Sequence, residues 1–334
     1  MTDRHQDCRP GVVPRRALLA GGVAMAAAAC APTGPKPTPR PVRIGYQRYG
    51  LLLVAKARGR LDKSLQDAGR GKPEWVEFPS GPPLLEAMSA GAIDLGTTGD
   101  TPPIFAQAAG VPLRYVAAQR LVGGGEAILV HGGSGLARVA DLRGRAVGFT
   151  KGSSAHMFIV QALRQTGLSL ADIRPVYLAP ADAVGAFSRR AIDAWVTWDP
   201  YFALAERDQG AVVLATRAST PPSDGFYLAS KSFVEQNAGT LSELLDGLAE
   251  DARWGNSHPE DAARIIAVAN GLPQDIVLRA LRREPLGIQP MDLQDIRQQQ
   301  AGADIFAELK LIPGPVRVAD AAWQDWSPRV WTGT

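Results

Sequence analysis

Apolar residues recur along residues 42–230 in short runs typical of strands, and most of these runs lead into segments with helical spacing. The predicted elements, in order, are strand 42–47, helix 51–59, strand 73–78, helix 83–90, strand 93–98, a helix from Ile104, strands 113–118, 127–130 and 146–149, helix 154–166, strand 176–178, helix 181–191, strand 194–198, helix 200–207, and strands 211–215 and 226–229. Residues 232–311 have helical spacing throughout. This alternation predicts an α/β fold with doubly wound, mostly parallel sheets.

Two glycine- and proline-rich segments interrupt this alternation, Gly123-Gly124-Gly125 and Pro221-Pro222-Ser223-Asp224-Gly225. We interpret them as crossings between two lobes. The first lobe then comprises residues 42–122 and the second lobe residues 123–224, while residues 225–334 return to the first lobe and add the C-terminal helices. A division into two lobes fits a chain of this length, which is too long for one small core. We expect the C-terminal helices to pack on the first lobe and to brace the hinge.

The first 29 residues are not expected to belong to the fold. Arg15-Arg16 precedes an apolar run at 17–29 that is short for a bilayer span and typical of a signal peptide. The arginine pair resembles a Tat signal but lacks the usual flanking residues, so Tat and Sec export both stay open. Ala27-Ala28-Ala29-Cys30 resembles a bacterial lipobox, which implies diacylation of Cys30; the alternative is an unmodified cysteine in an ordinary signal peptide.

Residues 30–41 contain prolines at 32, 35, 37, 39 and 41, and this spacing predicts an extended tether between a lipid anchor and the folded lobes. Residues 1–29 hold four arginines and two aspartates, so their removal lowers the net charge from +3 to +1. A nearly neutral mature chain has no electrostatic footprint for nucleic acid. With Cys8 removed, Cys30 is the only cysteine left and no intramolecular disulfide can form.

Two strand-to-helix corners are the candidate binding features. In the first, Gly99-Asp100-Thr101-Pro102-Pro103 follows a strand, with Thr101 as a predicted N-cap and Pro102 at the first helical position. In the second, Thr150-Lys151-Gly152-Ser153-Ser154-Ala155-His156 follows a strand, with Gly152 turning the chain and Ser153 or Ser154 capping the helix. Helix N-termini attract anions, and open α/β sheets bind ligands at such corners. We expect the corners to face each other and to hold one anion, although the serines could simply cap an ordinary helix.

Three further side chains could contact the ligand. Gln47, at the end of the first strand, could donate to its head group or could face solvent. Trp198 and Tyr227 could form an apolar slot for a tail, and either could equally belong to the core of a lobe.

The remaining candidates carry titratable side chains. His156 could donate to the anion, but a histidine in the first turns of a helix is more often structural. Asp100 and Asp199 are acceptors beside an anion site, so we favour a role in orienting the serines; accepting a ligand amine and latching the lobes are the alternatives. Lys151 is the one cation in either corner, and its side chain could contact the anion or could equally point to solvent.

Enzymatic chemistry is not indicated. The sequence has no cysteine nucleophile after Cys30, no G-x-S-x-G or P-loop motif, and no metal-ligand spacing around His131, His156 and His258. No cofactor and no bound metal are expected. A non-enzymatic alternative is a binding module that senses a ligand for a membrane receptor.

From Val42 to Trp323 the sequence resembles the aliphatic-sulfonate-binding proteins of bacterial ABC importers. The resemblance rests on Gly45-Tyr46-Gln47, Glu77-Phe78-Pro79 with Gly81-Pro82, both corners, Asp193-Ala194-Trp195 with Trp198-Asp199-Pro200, and Ala307-Glu308-Leu309-Lys310-Leu311-Ile312-Pro313. It implies a two-lobe periplasmic binding fold of type II with two hinge strands, an alkanesulfonate ligand, a role for Gln47 as a donor, permease subunits as partners and a monomer. Relatives that bind taurine or nitrate share this fold, so these ligands are alternatives.

A sulfonate suits the two corners on physical grounds. It is ionised at physiological pH and offers only acceptors, so it requires donors such as backbone N–H groups, the serine hydroxyls and Thr101. Three or four hydrogen bonds to an ion, each worth about 1.5 to 3 kcal/mol before desolvation, could supply the roughly 8 kcal/mol of micromolar binding. Because Lys151 is the one cation in either corner, the sequence predicts that neutral dipoles do most of the work of binding the head group.

Overall fold

The computed structural model describes residues 40–328, which form two five-stranded sheets flanked by helices. The first sheet contains β1 (Arg43–Gln47), β2 (Glu74–Phe78), β3 (Leu95–Thr98), β4 (Leu113–Arg120) and β10 (Asp224–Ser230), in the order β2-β1-β3-β10-β4. The second sheet contains β5 (Glu126–His131), β6 (Ala146–Phe149), β7 (Arg174–Tyr177), β8 (Ala194–Trp198) and β9 (Ala211–Thr216), in the order β7-β6-β8-β5-β9. The predicted α/β class is confirmed. We call the two sheets with their helices the first and second lobes.

Each sheet is mostly parallel, with one antiparallel strand next to its edge strand. In the first lobe that strand is β10, which pairs antiparallel with β3 and β4. In the second lobe it is β5, which pairs antiparallel with β8 and β9. Both strands enter their sheet directly from the other lobe, through residues 121–125 and residues 217–223. The antiparallel direction therefore follows from the two crossings, because the chain arrives from the side on which the parallel strands end.

Helices cover both sheets and fill the C-terminal third. The first lobe carries α1 (Leu51–Arg58), α2 (Arg60–Asp67), α3 (Gly81–Ser89) and α4 (Thr101–Ala108), and the second lobe carries α5 (Ser154–Gln165), α6 (Pro180–Ser188) and α7 (Tyr201–Gln209). The C-terminal helices are α8 (Lys231–Ser257), α9 (Pro259–Asn270), α10 (Gln274–Arg283) and α11 (Leu293–Glu308). Helix α2 was not predicted; it follows α1 after a single residue, Gly59, whose left-handed backbone ends one helix and begins the next.

The C-terminal helices pack as expected, with one addition. Helices α8 and α9 pack on α1, and α11 packs on α4, all in the first lobe. Helix α10 also contacts α7 of the second lobe, so it spans the two lobes. The sequence predicted that residues 284–292 are helical, and this prediction is wrong. Pro285, Gly287 and Pro290 interrupt the helical pattern there. Instead, Gln289 exchanges backbone hydrogen bonds of 2.8 and 2.9 Å with Ala118 of β4.

The signal peptide, the lipidated Cys30 and most of the predicted tether lie outside residues 40–328, so they stay predictions. Among the described residues, no helix combines the length and apolarity that a membrane crossing requires.

Candidate functional site

A cavity of about 290 Å³ is lined by residues of both lobes and both crossings. The lining residues predicted from the sequence are Gln47, Ser153, Ser154, Trp198, Asp199 and Tyr227. The other predicted residues, Asp100, Thr101, Gly152 and His156, do not line the cavity. The structure thus places six of the ten predicted residues in the cavity lining and four outside it.

The two corners face each other. A Cβ atom placed on Gly99 of the first corner would lie 2.9 Å from the Cβ of Ser154 in the second corner. Gly152 has the positive φ of 74° that the predicted turn requires, and a Cβ placed there would lie 3.8 Å from Pro82 of the first lobe. The approach of the corners therefore depends on small residues on both sides.

The serine side chains do not cap α5, although Ser153 occupies the N-cap position. The Ser153 hydroxyl donates to the carbonyl oxygen of Thr150 at 2.7 Å. The Ser154 hydroxyl donates to Oε1 of Glu126 at 2.8 Å. The N–H groups of Ser153 and His156 donate to the carbonyl oxygens of Thr150 and Ser153, at 3.2 and 2.9 Å. The N–H groups of Ser154 and Ala155 begin α5, where amides have no partner within the helix, so these two can donate to an anion. The two hydroxyl protons, in contrast, already have acceptors.

His156 has the structural role that its position favours. Its Nδ1 accepts a hydrogen bond of 3.3 Å from the Gly152 N–H, so the Gly152 amide also has a partner within the protein. The ring is 1% exposed and lies 5.2 Å from the ring centroid of Phe149 and 5.3 Å from that of Phe306. Burial, and then the charge of Lys151, lower the pKa of His156 to about 4. The predicted contact of His156 and Gly152 with the ligand is therefore not what the structure favours.

An arginine that sequence reasoning missed occupies the cavity wall. Arg217 follows β9 at the second crossing and is 4% exposed. Its Nη2 donates to Oδ2 of Asp100 at 2.7 Å, and its Nε donates to the Ser223 hydroxyl at 3.0 Å. Within residues 40–328, its Nη1 has no hydrogen-bond partner. The cavity wall therefore offers a guanidinium beside the neutral dipoles that were predicted to do most of the binding.

Asp100 and Thr101 hold this arginine. The Thr101 hydroxyl donates to Oδ1 of Asp100 at 2.8 Å, so both Asp100 oxygens are occupied, one by Thr101 and one by Arg217. Thr101 is the first residue of α4 and not its N-cap, and Asp100 in the N-cap position makes no capping hydrogen bond. Asp100 therefore orients Arg217 and not, as predicted, the serines.

A second missed residue, Glu126, places a carboxyl group at the cavity wall. Glu126 begins β5 and is 8% exposed. Its Oε1 accepts from Ser154, and its Oε2 lies 3.8 Å from Nε of Arg217. Burial raises the pKa of Glu126 to about 7, and this effect exceeds the opposing effect of Arg217.

Two further carboxyl groups line the cavity and link the lobes. Asp199 of the second lobe accepts from the Ala203 N–H at 3.0 Å and from Nη1 of Arg283, at the end of α10, at 3.3 Å. Burial raises the pKa of Asp199 to about 6, against the effect of Arg283. Glu284 accepts from the N–H groups of Val122 and Gly123 at 2.9 and 3.1 Å. These contacts agree with the latching alternative for Asp199.

Apolar side chains complete the wall. Trp198 is half-buried, whereas Tyr227 is 1% exposed and its hydroxyl donates to the Gly287 carbonyl oxygen at 2.9 Å. The other apolar lining residues include Leu51, Pro79, Leu121, Leu204, Leu272 and Leu286. One N–H of the Gln47 side chain donates to the Thr97 carbonyl oxygen at 3.0 Å, so the other can reach a ligand. The cavity combines polar corners with an apolar wall.

Comparisons with known proteins agree with this geometry. The NMT1-like family matches residues 35–270. The chain belongs to this family. It is 40% identical over 289 residues to an aliphatic sulfonates-binding protein of Escherichia coli, which covers 86% of this chain and 90% of the relative.

Two solved structures share the architecture of this NMT1-like chain. The alkanesulfonate-binding protein SsuA from Xanthomonas axonopodis pv. citri, bound to MOPS, has a TM-score of 0.81 at 39% identity, covering 85% of this chain and 98% of that one. The periplasmic aliphatic sulphonate binding protein SsuA from Escherichia coli has a TM-score of 0.77 at 39% identity, covering 89% and 95%. The predicted two-lobe binding-protein fold is confirmed.

Two of the residues that were missed share a position in the chain. Arg217 follows β9 and Glu126 begins β5, so each lies beside a crossing between the lobes. Glu284, in contrast, follows α10 and contacts the first crossing through hydrogen bonds from Val122 and Gly123. No local motif marks them, but each crossing brings its flanking residues to the edge of the cleft. A polar residue within four residues of a predicted crossing is therefore the signal that could have identified Arg217 and Glu126 in this NMT1-like sequence.

We predict that Gly99→Ala weakens ligand binding by about 5- to 150-fold. The added methyl group would overlap Ser154, and overpacking of this kind costs about 1 to 3 kcal/mol. Calorimetric titration with pentanesulfonate measures the effect. Gly239→Ala is the matched control, because no atom lies within 4 Å of its added Cβ. Equal affinity for Gly99→Ala and wild type would show that the corners do not need to approach this closely.

Proposed function

We propose that the protein is an extracytoplasmic binding protein that captures alkanesulfonates and delivers them to an ABC import permease for sulfur acquisition. The observation that carries the proposal is the buried Arg217 guanidinium at the cavity wall, which has one nitrogen without a hydrogen-bond partner within residues 40–328. Membership of the NMT1-like family and the similarity to sulfonate-binding proteins support it.

A sulfonate would match this site in charge and in hydrogen bonding. Its oxygens accept only, and the guanidinium of Arg217 with the first-turn amides of α5 can donate to them. Asp100 holds Arg217 in place before a ligand arrives, so little side-chain entropy would be lost on binding. The alkyl tail would then lie against Trp198 and the leucines of the wall, where each buried methylene contributes about 0.8 kcal/mol.

The contacts of the two latching carboxyl groups favour a plain tail over one with an amine. Asp199 is held by Arg283, and Glu284 is held by the amides of the first crossing. Both carboxylates already have a cation or backbone donors as partners, so a ligand amine would gain less from them than from a carboxylate without such partners. Nitrate would leave the apolar wall without a contact. We therefore rank alkanesulfonates above taurine and nitrate. A ligand-sensing role would use the same cavity, and a neighbouring permease gene would favour import.

The residues that line the cavity support a protein that binds its ligand without catalysing a reaction. No histidine or cysteine is among the residues that line it, and among residues 40–328 no three or more His, Cys, Asp and Glu side chains are grouped to hold a metal ion. We propose that the protein acts as a monomer without a cofactor. The signal at 1–29, the tether at 30–41 and lipidation at Cys30 complete the proposal, and they rest on the sequence alone.

Cys30→Ser should release the protein from the membrane, because the proposed diacyl anchor is attached through the Cys30 thiol. Wild-type protein expressed in its host is expected in the membrane fraction and in the detergent phase after Triton X-114 partition, and the variant in the aqueous phase. Mass spectrometry of the mature N-terminus checks the lipid directly. Equal partition of both proteins, with no lipid on the wild type, would remove the anchor from the proposal.

Ligand selectivity tests the function itself. Calorimetry over C2 to C8 alkanesulfonates, taurine, sulfate and nitrate is expected to give the tightest binding for tailed monoanions, with affinity rising along the series. Trp198→Ala should flatten this rise, because it removes part of the surface on which the tail would lie, and should leave ethanesulfonate nearly unaffected. Equal losses for ethanesulfonate and octanesulfonate would place the tail elsewhere. Tighter sulfate than pentanesulfonate binding would contradict the proposed ligand.

Arg217→Lys should weaken all alkanesulfonates by ten-fold or more, independently of chain length. Lysine keeps the charge, but its single nitrogen cannot hold Asp100 and also occupy the position of Nη1. A ten-fold loss corresponds to about 1.4 kcal/mol. Arg207→Lys, at an exposed arginine of α7, is the matched control, and the thermal midpoint of each ligand-free protein shows whether folding is affected. A well-folded Arg217→Lys protein with wild-type affinity would exclude this arginine from the site.

A further inference from the structure

Four side chains form one buried polar cluster at the cavity wall: Asp100, Glu126, Ser154 and Arg217. Arg217 contacts Asp100 at 2.7 Å and lies 3.8 Å from Glu126. Ser154 donates its hydroxyl proton to Glu126 at 2.8 Å. The cluster thus has two carboxyl groups and one guanidinium, all less than 10% exposed. With both carboxyl groups ionised, it carries one net negative charge where an anion is to bind.

The surroundings of Glu126 do not correct this imbalance. The charged groups that face it are Arg217 beyond β9, Asp100 at the start of α4 and Glu284 beyond α10, and only Arg217 is a cation. On the neighbouring strand β8, Trp198 pairs with Glu126, and the next side chain, Asp199, is turned to Arg283. A sulfonate placed beside Arg217 would therefore meet an unfavourable charge from Glu126.

The hydrogen-bond directions present a second difficulty for an ionised Glu126. A carboxylate only accepts, so the one proton of the Ser154 hydroxyl is directed at Glu126 and away from a ligand. A sulfonate also only accepts, so it gains nothing from the Ser154 hydroxyl in this arrangement. The same pair of side chains would serve an anion if the carboxyl group were the donor.

We propose that Glu126 binds the ligand as a carboxylic acid, donating its proton to Ser154 Oγ while the Ser154 hydroxyl donates to the sulfonate, so that ligand capture takes up one proton. The proton comes from solvent, and no covalent bond other than that to the proton forms. This inference rests on the proposed function and assigns a further specificity-determining residue to the same site.

Glu126 is the carboxyl group of the cluster that can take the proton. Both oxygens of Asp100 already accept short hydrogen bonds, from Thr101 and Arg217, so a proton on Asp100 would break one of them. Glu126 accepts one hydrogen bond from a neutral hydroxyl, and reversing that bond keeps the contact. Burial already raises the pKa of Glu126 to about 7, so protonation near neutral pH requires little free energy.

The direction of the pH dependence follows from linkage. A sulfonate stabilises the protonated form, so the pKa of Glu126 is higher in the complex than in the free protein. Below pH 7 the free protein already carries the proton, and affinity is independent of pH. Above pH 7 binding must take up the proton, so affinity falls by up to ten-fold for each pH unit.

The experiment is calorimetric titration of the whole mature protein with pentanesulfonate at pH 6 and pH 8, in the amine buffers Bis-Tris and Tris. Buffers such as MOPS carry a sulfonate and would compete. The dissociation constant of the wild type is expected to be about ten-fold weaker at pH 8. A pH electrode in weakly buffered solution at pH 8 should record the uptake of close to one proton per ligand bound.

Glu126→Gln is the decisive variant, because the glutamine amide imitates the protonated acid and can still contact Ser154. It should bind equally well at both pH values, bind more tightly than wild type at pH 8, and take up no proton. Ser154→Ala should lose part of the pH dependence. Asp199→Asn should keep it, which excludes Asp199, a cavity carboxyl group whose pKa burial raises to about 6.

Sulfonate binding with one affinity at both pH values and no proton uptake by the wild type would overturn the inference and leave the proposed function standing. A Glu126→Gln protein with wild-type pH dependence would also overturn it. If that variant does not fold, proton uptake by the wild type decides the question alone. Absence of sulfonate binding at either pH would overturn the proposed function and this inference together.

Discussion

The ion pair between Asp100 and Arg217 is the contact on which the site depends. Asp100 belongs to the start of α4 in the first lobe, and Arg217 belongs to the segment through which the chain returns from the second lobe. The pair therefore joins a lobe to a crossing and defines the wall of the cavity at the same time. Removing two charges from water is costly, and a buried pair is weak evidence for stability. What the pair contributes here is orientation: Asp100 fixes the direction in which the Arg217 guanidinium points.

The other interlobe contacts have the same form. Asp199 of the second lobe is held by Arg283 at the end of α10, and Glu284, the next residue, accepts from the amides of the first crossing. Acidic side chains around this cavity are thus used to hold cations and backbone donors in place. Glu126 is the exception, because its hydrogen-bond partner is a neutral hydroxyl. This difference makes Glu126 the carboxyl group through which the site can respond to pH.

The fold explains why charged residues of the cavity wall lie at the crossings. Each sheet receives one antiparallel strand directly from the other lobe, β5 in one and β10 in the other. The residues that begin or precede these strands must then lie at the edge where the parallel strands end, which is where α/β sheets bind ligands. Glu126 and Arg217 reach the cavity for this topological reason.

The sequence by itself determined the alternation of strands and helices, the two crossings and the position of both corners. These features depend on local spacing and on residues with strong backbone preferences, such as Gly152 in the turn and Pro102 at the start of α4. Most strands were predicted to within two residues for the same reason. Helix α2 was missed because it follows α1 after a single residue. Segment 284–292 was predicted as helical because the spacing of its apolar residues conceals the break in the helix.

Only the tertiary structure decided which side chains of the corners line the cavity. Asp100 and Arg217 are 117 residues apart, and Glu126 and Ser154 are 28 residues apart. No local period encodes such pairs. Ser153 and Ser154 were expected to cap a helix, and Asp100 to orient serines, because those are the partners available nearby in sequence. In the fold, Ser153 does bond to the nearby Thr150 carbonyl oxygen, but Ser154 and Asp100 bond to the charged and distant partners Glu126 and Arg217. The roles of Ser154 and Asp100 follow from those long-range contacts.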